Sequence, residues 1–234
     1  MCGLHFKGVP NNPCDWEPHF IDFGPPLSEV DTNSDDPIPE ALEYEMVKKA
    51  NLYLSEIVGH HGTVITFNGR GFDVPILFTR CMVFGLNTAE WYTKDFQYRF
   101  STTSHLDLLD AFTENGAVYK ARPSLSILAH ICGLPGKVGI DGSKVKDYYA
   151  AGKYQEIRDY CMSDNLLTGV LFMRWMVTRG LISADEYRKV VMGIVDQACA
   201  KDANGTVIHP YMCQMMDLIN YNRLFIIQQK KAAK

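Results

Sequence analysis

An α/β fold is predicted by two kinds of segment that alternate along this chain. Val64-Ile65-Thr66-Phe67 and residues 103–109 are apolar and suited to buried strands, and each leads into a segment that reads as a helix, from Phe72 and from Ser124 respectively. Residues 40–58 place Ala41, Leu42, Met46, Val47, Ala50, Leu54 and Ile57 at helical spacing. A long helix starts near Lys153 and stops at Gly180, a residue suited to the position just past a helix end.

The flanking segments follow in order. Residues 1–6 and 19–23 read as short strands, and residues 27–39 as a polar, acidic loop bounded by prolines. Asp15-Trp16-Glu17 sits between the turn sequence Asn11-Asn12-Pro13-Cys14 and Pro18, so it reads as a hairpin tip. Past Gly180, Ser183 with Glu186 forms a capping box that opens another helix. Residues 212–229 carry Met215, Leu218, Ile219, Leu224 and Ile227 and are expected to pack back onto the domain, with the lysine-rich terminus solvated.

A chain of 234 residues with 47% hydrophobic content can bury one sizeable core. Seven cysteines without a C-x-x-C argue against a disulfide framework or a zinc site and for a reducing compartment, the cytoplasm. The longest apolar run, residues 169–177, is interrupted by Arg174, and residues 1–10 lack the apolar core of a signal peptide, so neither a membrane span nor secretion is expected. A net charge of -4 provides no global attraction to phosphate, although sites built from carboxylates and cations are less bound by that rule.

Chemistry concentrates in two places. In Asn68-Gly69-Arg70-Gly71-Phe72-Asp73-Val74-Pro75 an acid follows a strand end and a turn, at the start of a helix. In Tyr160-Cys161-Met162-Ser163-Asp164 a phenol and a carboxylate stand four residues apart, on one face of the long helix. Between them lie Ser124-Leu125-Ser126-Ile127-Leu128-Ala129 and a loop containing Gly133-Leu134-Pro135-Gly136-Lys137 and Asp141-Gly142-Ser143. Together, over residues 60–180, these resemble the predicted 3′-5′ exonucleases related to the proofreading domain of family-B DNA polymerases, the tyrosine subgroup of the DEDD superfamily.

That resemblance implies a ribonuclease-H-like mixed sheet flanked by helices, with strand order 3-2-1-4-5. Residues 1–180 would form the exonuclease domain and 181–234 a helical extension packed on it. Asp73 and Asp164 would be metal ligands for two divalent ions, Mg²⁺ or Mn²⁺, Tyr160 would orient the attacking water, and Asn68 and Phe72 would shape the substrate site. The implied substrate is nucleic acid, taken to be DNA 3′ ends, with replication or repair proteins as conceivable partners. The family's first motif, an Asp-x-Glu on a central strand, has no convincing counterpart here. Residues 1–6 and 19–23 would be the second and third strands, and the first would lie before Met1. Such a chain is either an exonuclease completed from elsewhere or a catalytically inactive domain that only binds nucleic acid or a partner.

Each residue also has a plainer reading. Asp73 suits a helix N-cap ahead of Pro75, and Tyr160 with Asp164 could be an ordinary half-buried face of a helix. Lys120, Arg122, Lys137, Lys144 and Lys146 either follow a strand's phosphates or coat a solvated surface. His60-His61 lacks further ligands at metal spacing and reads as a helix-to-strand connection. Gly136-Lys137 lacks the spacing of a phosphate loop, and no Gly-x-Ser-x-Gly is present.

Overall fold

The computed structural model describes residues 2–7, 16–30, 39–118, 122–134, 142–207 and Cys213. In chain order its elements are β1 (Cys2–Lys7), β2 (Glu17–Asp22), α1 (Glu40–Gly59), β3 (Val64–Thr66), α2 (Asp73–Val83), α3 (Lys94–Gln97), β4 (His105–Asp107), α4 (Leu108–Phe112), α5 (Leu125–Ile131), α6 (Val145–Ala150), α7 (Tyr154–Thr178) and α8 (Ala184–Ala198). The protein is therefore a mixed α/β chain. Its strands form two separate two-stranded sheets among the described residues, β1 with β2 and β3 with β4. The chain divides into two compact units, one of residues 23–123 and one of residues 2–22 joined to the chain from Ser124 onward.

In the first unit β3 and β4 pair in parallel, with Val64 opposite His105 and Thr66 opposite Asp107. Helices α1 and α2 pack together through Val47, Ala50, Leu77 and Cys81, and Trp91 and Phe96 complete this core. A buried amide organises it. Asn51 accepts from the Trp91 indole at 2.7 Å and donates to the Asn87 carbonyl at 3.0 Å, so neither polar group is stranded in the apolar interior. His60 Nδ1 lies 2.7 Å from the Glu56 carbonyl, and His61 turns the chain with φ 60°, which makes this pair the connection its sequence suggests.

Two boundaries differ from expectation. β3 stops at Thr66 because Asn68 adopts a left-handed backbone, φ 59°, which an extended strand cannot contain. The strand expected over residues 103–109 is only three residues long, since the Asp107 side chain accepts from Leu109 N–H and caps α4.

In the second unit β1 and β2 form an antiparallel hairpin, from Cys2 opposite Asp22 to Lys7 opposite Glu17. Glu17 thus stands at the loop end of the hairpin, as the tip reading requires, while Asp15 lies outside the described residues. β1 packs on α7 and β2 on α8. Gly169 makes the first contact possible, because a Cβ there would lie 2.6 Å from Leu4 Cδ2. α7 buries Met162, Leu166, Leu167, Val170, Leu171 and Met173, α8 buries Tyr187, Val190, Val191 and Ile194, and the two helices pack together. Arg174 is held inside by the Tyr187 hydroxyl at 3.1 Å and by the Cys132 carbonyl.

Both helix boundaries read from sequence hold. Gly180 has φ 68°, just past α7, and α8 opens with Ser183 and Glu186 in a reciprocal capping box. The expectation against a disulfide framework is corrected at one place: Cys199 and Cys213 form a disulfide, their Cα atoms 4.7 Å apart. Fourteen residues separate them, and nothing in that spacing distinguishes them from the other cysteines. The packing segment expected over residues 212–229 lies outside the described residues apart from Cys213.

Candidate functional site

The turn 67–73 is held by a carboxylate. Asp107, buried at the end of β4, accepts the Asn68 N–H at 2.8 Å and the Arg70 N–H at 3.0 Å, in addition to that of Leu109. Arg70 turns inward rather than to solvent. Its guanidinium donates to the carbonyls of Phe96 at 2.9 Å, Tyr98 at 3.0 Å and His105 at 2.8 Å. One side chain thereby fixes the turn to the segment 96–98 and to β4.

The glycines of the motif have a steric reason. A Cβ at Gly69 would lie 2.5 Å from Thr66 Cβ, and one at Gly71 would lie 2.7 Å from Asn68 Oδ1. Below the turn, the fully buried His105 places Nε2 2.8 Å from Thr66 Oγ1 and stacks on Phe96 at 4.6 Å between centroids. Burial, reinforced by the neighbouring Arg70 charge, pushes the imidazole pKa down to about 3. It is therefore neutral at ordinary pH and serves as a packing and hydrogen-bonding group.

This frame fixes the backbone of the turn that carries Asn68, Phe72 and Asp73. Asp73 is the first residue of α2 and is exposed, whereas the cap position falls to Phe72. The N-cap reading of Asp73 is corrected accordingly. The Phe72 ring is 61% exposed, which the packing of the unit does not require of an aromatic beside a motif acid. An open pocket of about 390 Å³ adjoins the turn.

Tyr160 and Asp164 belong to the second unit. They occupy successive turns of α7 and are both half-buried. Gly142 approaches the phenol so closely that a Cβ on it would lie 3.1 Å from the Tyr160 hydroxyl. This is what the structure adds for Asp141-Gly142-Ser143, whose role is not readable from sequence; Asp141 itself lies outside the described residues. Arg158, one turn before Asp164's own, pairs with Asp22 at 3.4 Å and ties α7 to the end of β2.

Asp73 and Asp164 are hard oxygen donors of the kind Mg²⁺ and Mn²⁺ prefer. Among the described residues, however, no three His, Cys, Asp or Glu side chains converge as a metal-binding group. The donor chemistry suits a divalent ion, but the described donors do not make up a two-metal set.

Sequence reasoning missed Arg70 and Asp107. An arginine between two glycines looks like a solvated turn, and its acceptors lie 26 to 35 positions away. Asp107 lies inside the strand expected over residues 103–109, and only the structure ends β4 at it.

The first unit thus carries an acid after a strand-end turn, and the second a tyrosine and an acid on a long helix. Residues 31–215 match the family model of predicted 3′-5′ exonucleases related to the exonuclease domain of PolB, and the chain belongs to that family. The match includes Asp73, Tyr160 and Asp164 and leaves Asp15-Trp16-Glu17 and the β1–β2 hairpin outside. No curated protein and no solved structure matches the chain. Among the described residues no helix is long and apolar enough to cross a membrane.

Proposed function

We propose that this protein is a 3′-5′ exonuclease that removes nucleotides from nucleic-acid ends, DNA in the first instance, by metal-dependent hydrolysis of the phosphodiester. The observation that carries the reading is the motif turn, whose backbone Asp107 and Arg70 fix immediately ahead of Asp73. Family membership supports the same assignment.

In this reading Asp73 and Asp164 are the chain's metal ligands, Tyr160 orients the attacking water, and Asn68 and Phe72 hold the terminal nucleotide. Bound divalent ions would supply charge stabilisation to the attacking and leaving oxygens. Two carboxylates alone fall short of the set that such a pair needs. A ribonuclease-H-like frame is supported by the parallel β3–β4 pair alone, which in the family order would be strands 4 and 5.

A second reading, a domain that binds nucleic acid without cutting it, is favoured by the sequence, in which Asp15-Trp16-Glu17 stands between turn residues and Pro18 rather than on an apolar strand. Digestion of a single-stranded oligonucleotide with Mn²⁺, by the parent and by its Asp73→Asn and Asp164→Asn variants, separates the two. The exonuclease reading expects both variants to fold like the parent and to lose at least 100-fold in rate, the scale of a lost charge-stabilising group. A folded parent that binds the strand and leaves it intact supports the binding domain. Equal digestion by parent and variants overturns the residue assignment.

A further inference from the structure

The open pocket beside the motif turn carries a cationic rim that the roles above do not use. Val74 and Pro75 of α2 and the half-buried Tyr92 give it an apolar side. Arg99 and Arg122 line it as well. Arg99 is held by Asp110 at 2.6 Å through one terminal nitrogen, and its side chain remains 44% exposed. Arg122 is exposed. It comes from the basic segment between the motifs, whose sequence alone leaves phosphate contact and solvated surface equally open. The structure sets it in the same pocket as Asn68.

Both pocket acids are already engaged. Asp107 is committed to three backbone N–H groups, and Asp110 to Arg99. The polar capacity left is thus that of a guanidinium rim, which suits an anion, while the walls suit a flat apolar body. A volume of about 390 Å³ is within the range that encloses one small organic unit, roughly 300–1,000 Å³.

We propose that this pocket is a nucleotide subsite: it takes one nucleotide of a single DNA strand, with the base against the Tyr92 and Pro75 wall and the phosphate on Arg122 and Arg99. The assignment rests on the exonuclease reading, since it is that reading which brings a strand to the turn. Arg122 and Arg99 are then substrate-positioning residues that the family motifs do not include.

The test is binding of a fluorescently labelled oligothymidylate to the full chain, in chelator so that nothing is cut, across a range of salt. Arg122→Gln is compared with the parent and with Lys189→Gln, which removes the same charge from an exposed position on α8. The subsite predicts a roughly three- to tenfold weaker Kd for Arg122→Gln. It also predicts a log Kd against log salt slope smaller by about 0.7, one phosphate contact on a single strand. Lys189→Gln should bind like the parent.

Two results would overturn the subsite: no change on Arg122→Gln, or an equal loss in both variants. A parent that binds no strand at any salt would remove the exonuclease reading and the subsite together. A parent that binds and digests while Arg122→Gln is unchanged would remove the subsite alone.

Discussion

Asp107 contributes no chemistry of its own to the site, yet the turn that presents Asp73 hangs on it. Removing its carboxylate leaves three backbone N–H groups without their acceptor, each costing about 1–3 kcal/mol where water cannot reach. Asp107→Ala is expected to lower unfolding stability by roughly 3 kcal/mol or more, measured by urea denaturation, with Asp107→Asn losing less because one acceptor oxygen remains. Gly69→Ala must push the β-branched Thr66 off its place on β3, at a cost of about 1–3 kcal/mol in the same experiment. His105 adds a pH dependence. Its folded pKa is depressed to about 3 from an ordinary 6.5, so the unfolded chain binds the proton first, and stability present above pH 6.5 is lost as pH falls towards 3. By pH 5 the loss is on the order of 2 kcal/mol, and His105→Gln should flatten that part of the stability profile. At this scale the motif string was legible because its glycines, acid and proline are local. The Arg70 and Asp107 clamp was not, because it joins positions that only the fold makes neighbours.

Helices with long apolar faces or explicit caps were the elements most readable from sequence. α7 runs to within a turn of its expected ends, and α8 begins at the capping box that Ser183 and Glu186 announce. Ser183→Ala is expected to cost about 1 kcal/mol, and Glu186→Ala a part of that, since each side chain satisfies one orphan N–H of the first turn. Thermal unfolding of the two variants checks it. Shorter elements were less legible. β4 was expected to be longer because its apolar run continues through Leu108 and Leu109, whereas Asp107 converts the same run into the start of α4. α6 went unread because a single helical turn and a half, Val145–Ala150, is too short to show a period among lysines and tyrosines.

For the whole molecule, an α/β class was legible and its division was not. Residues 2–22 fold with the C-terminal half, against α7 and α8, because Leu4 and Pro18 find their partners at Gly169 and Gly193. The Cys199–Cys213 disulfide belongs to that second unit. Its presence predicts a linked peptide in a proteolytic map made without reductant. Closing a loop of this length stabilises by about 3 kcal/mol in the chain-entropy model, so reduction should lower the melting temperature of the folded chain. Free thiols at both positions in the unreduced map would contradict the pairing. The central claim, that the chain trims nucleic acid from its 3′ end, is tested most directly by a time course on a 5′-labelled single DNA strand with Mn²⁺. The account predicts a ladder that shortens one nucleotide at a time and is blocked by a modified 3′ terminus. A label released as a mononucleotide from the 5′ end, or a strand bound but uncut by the folded chain, would contradict it.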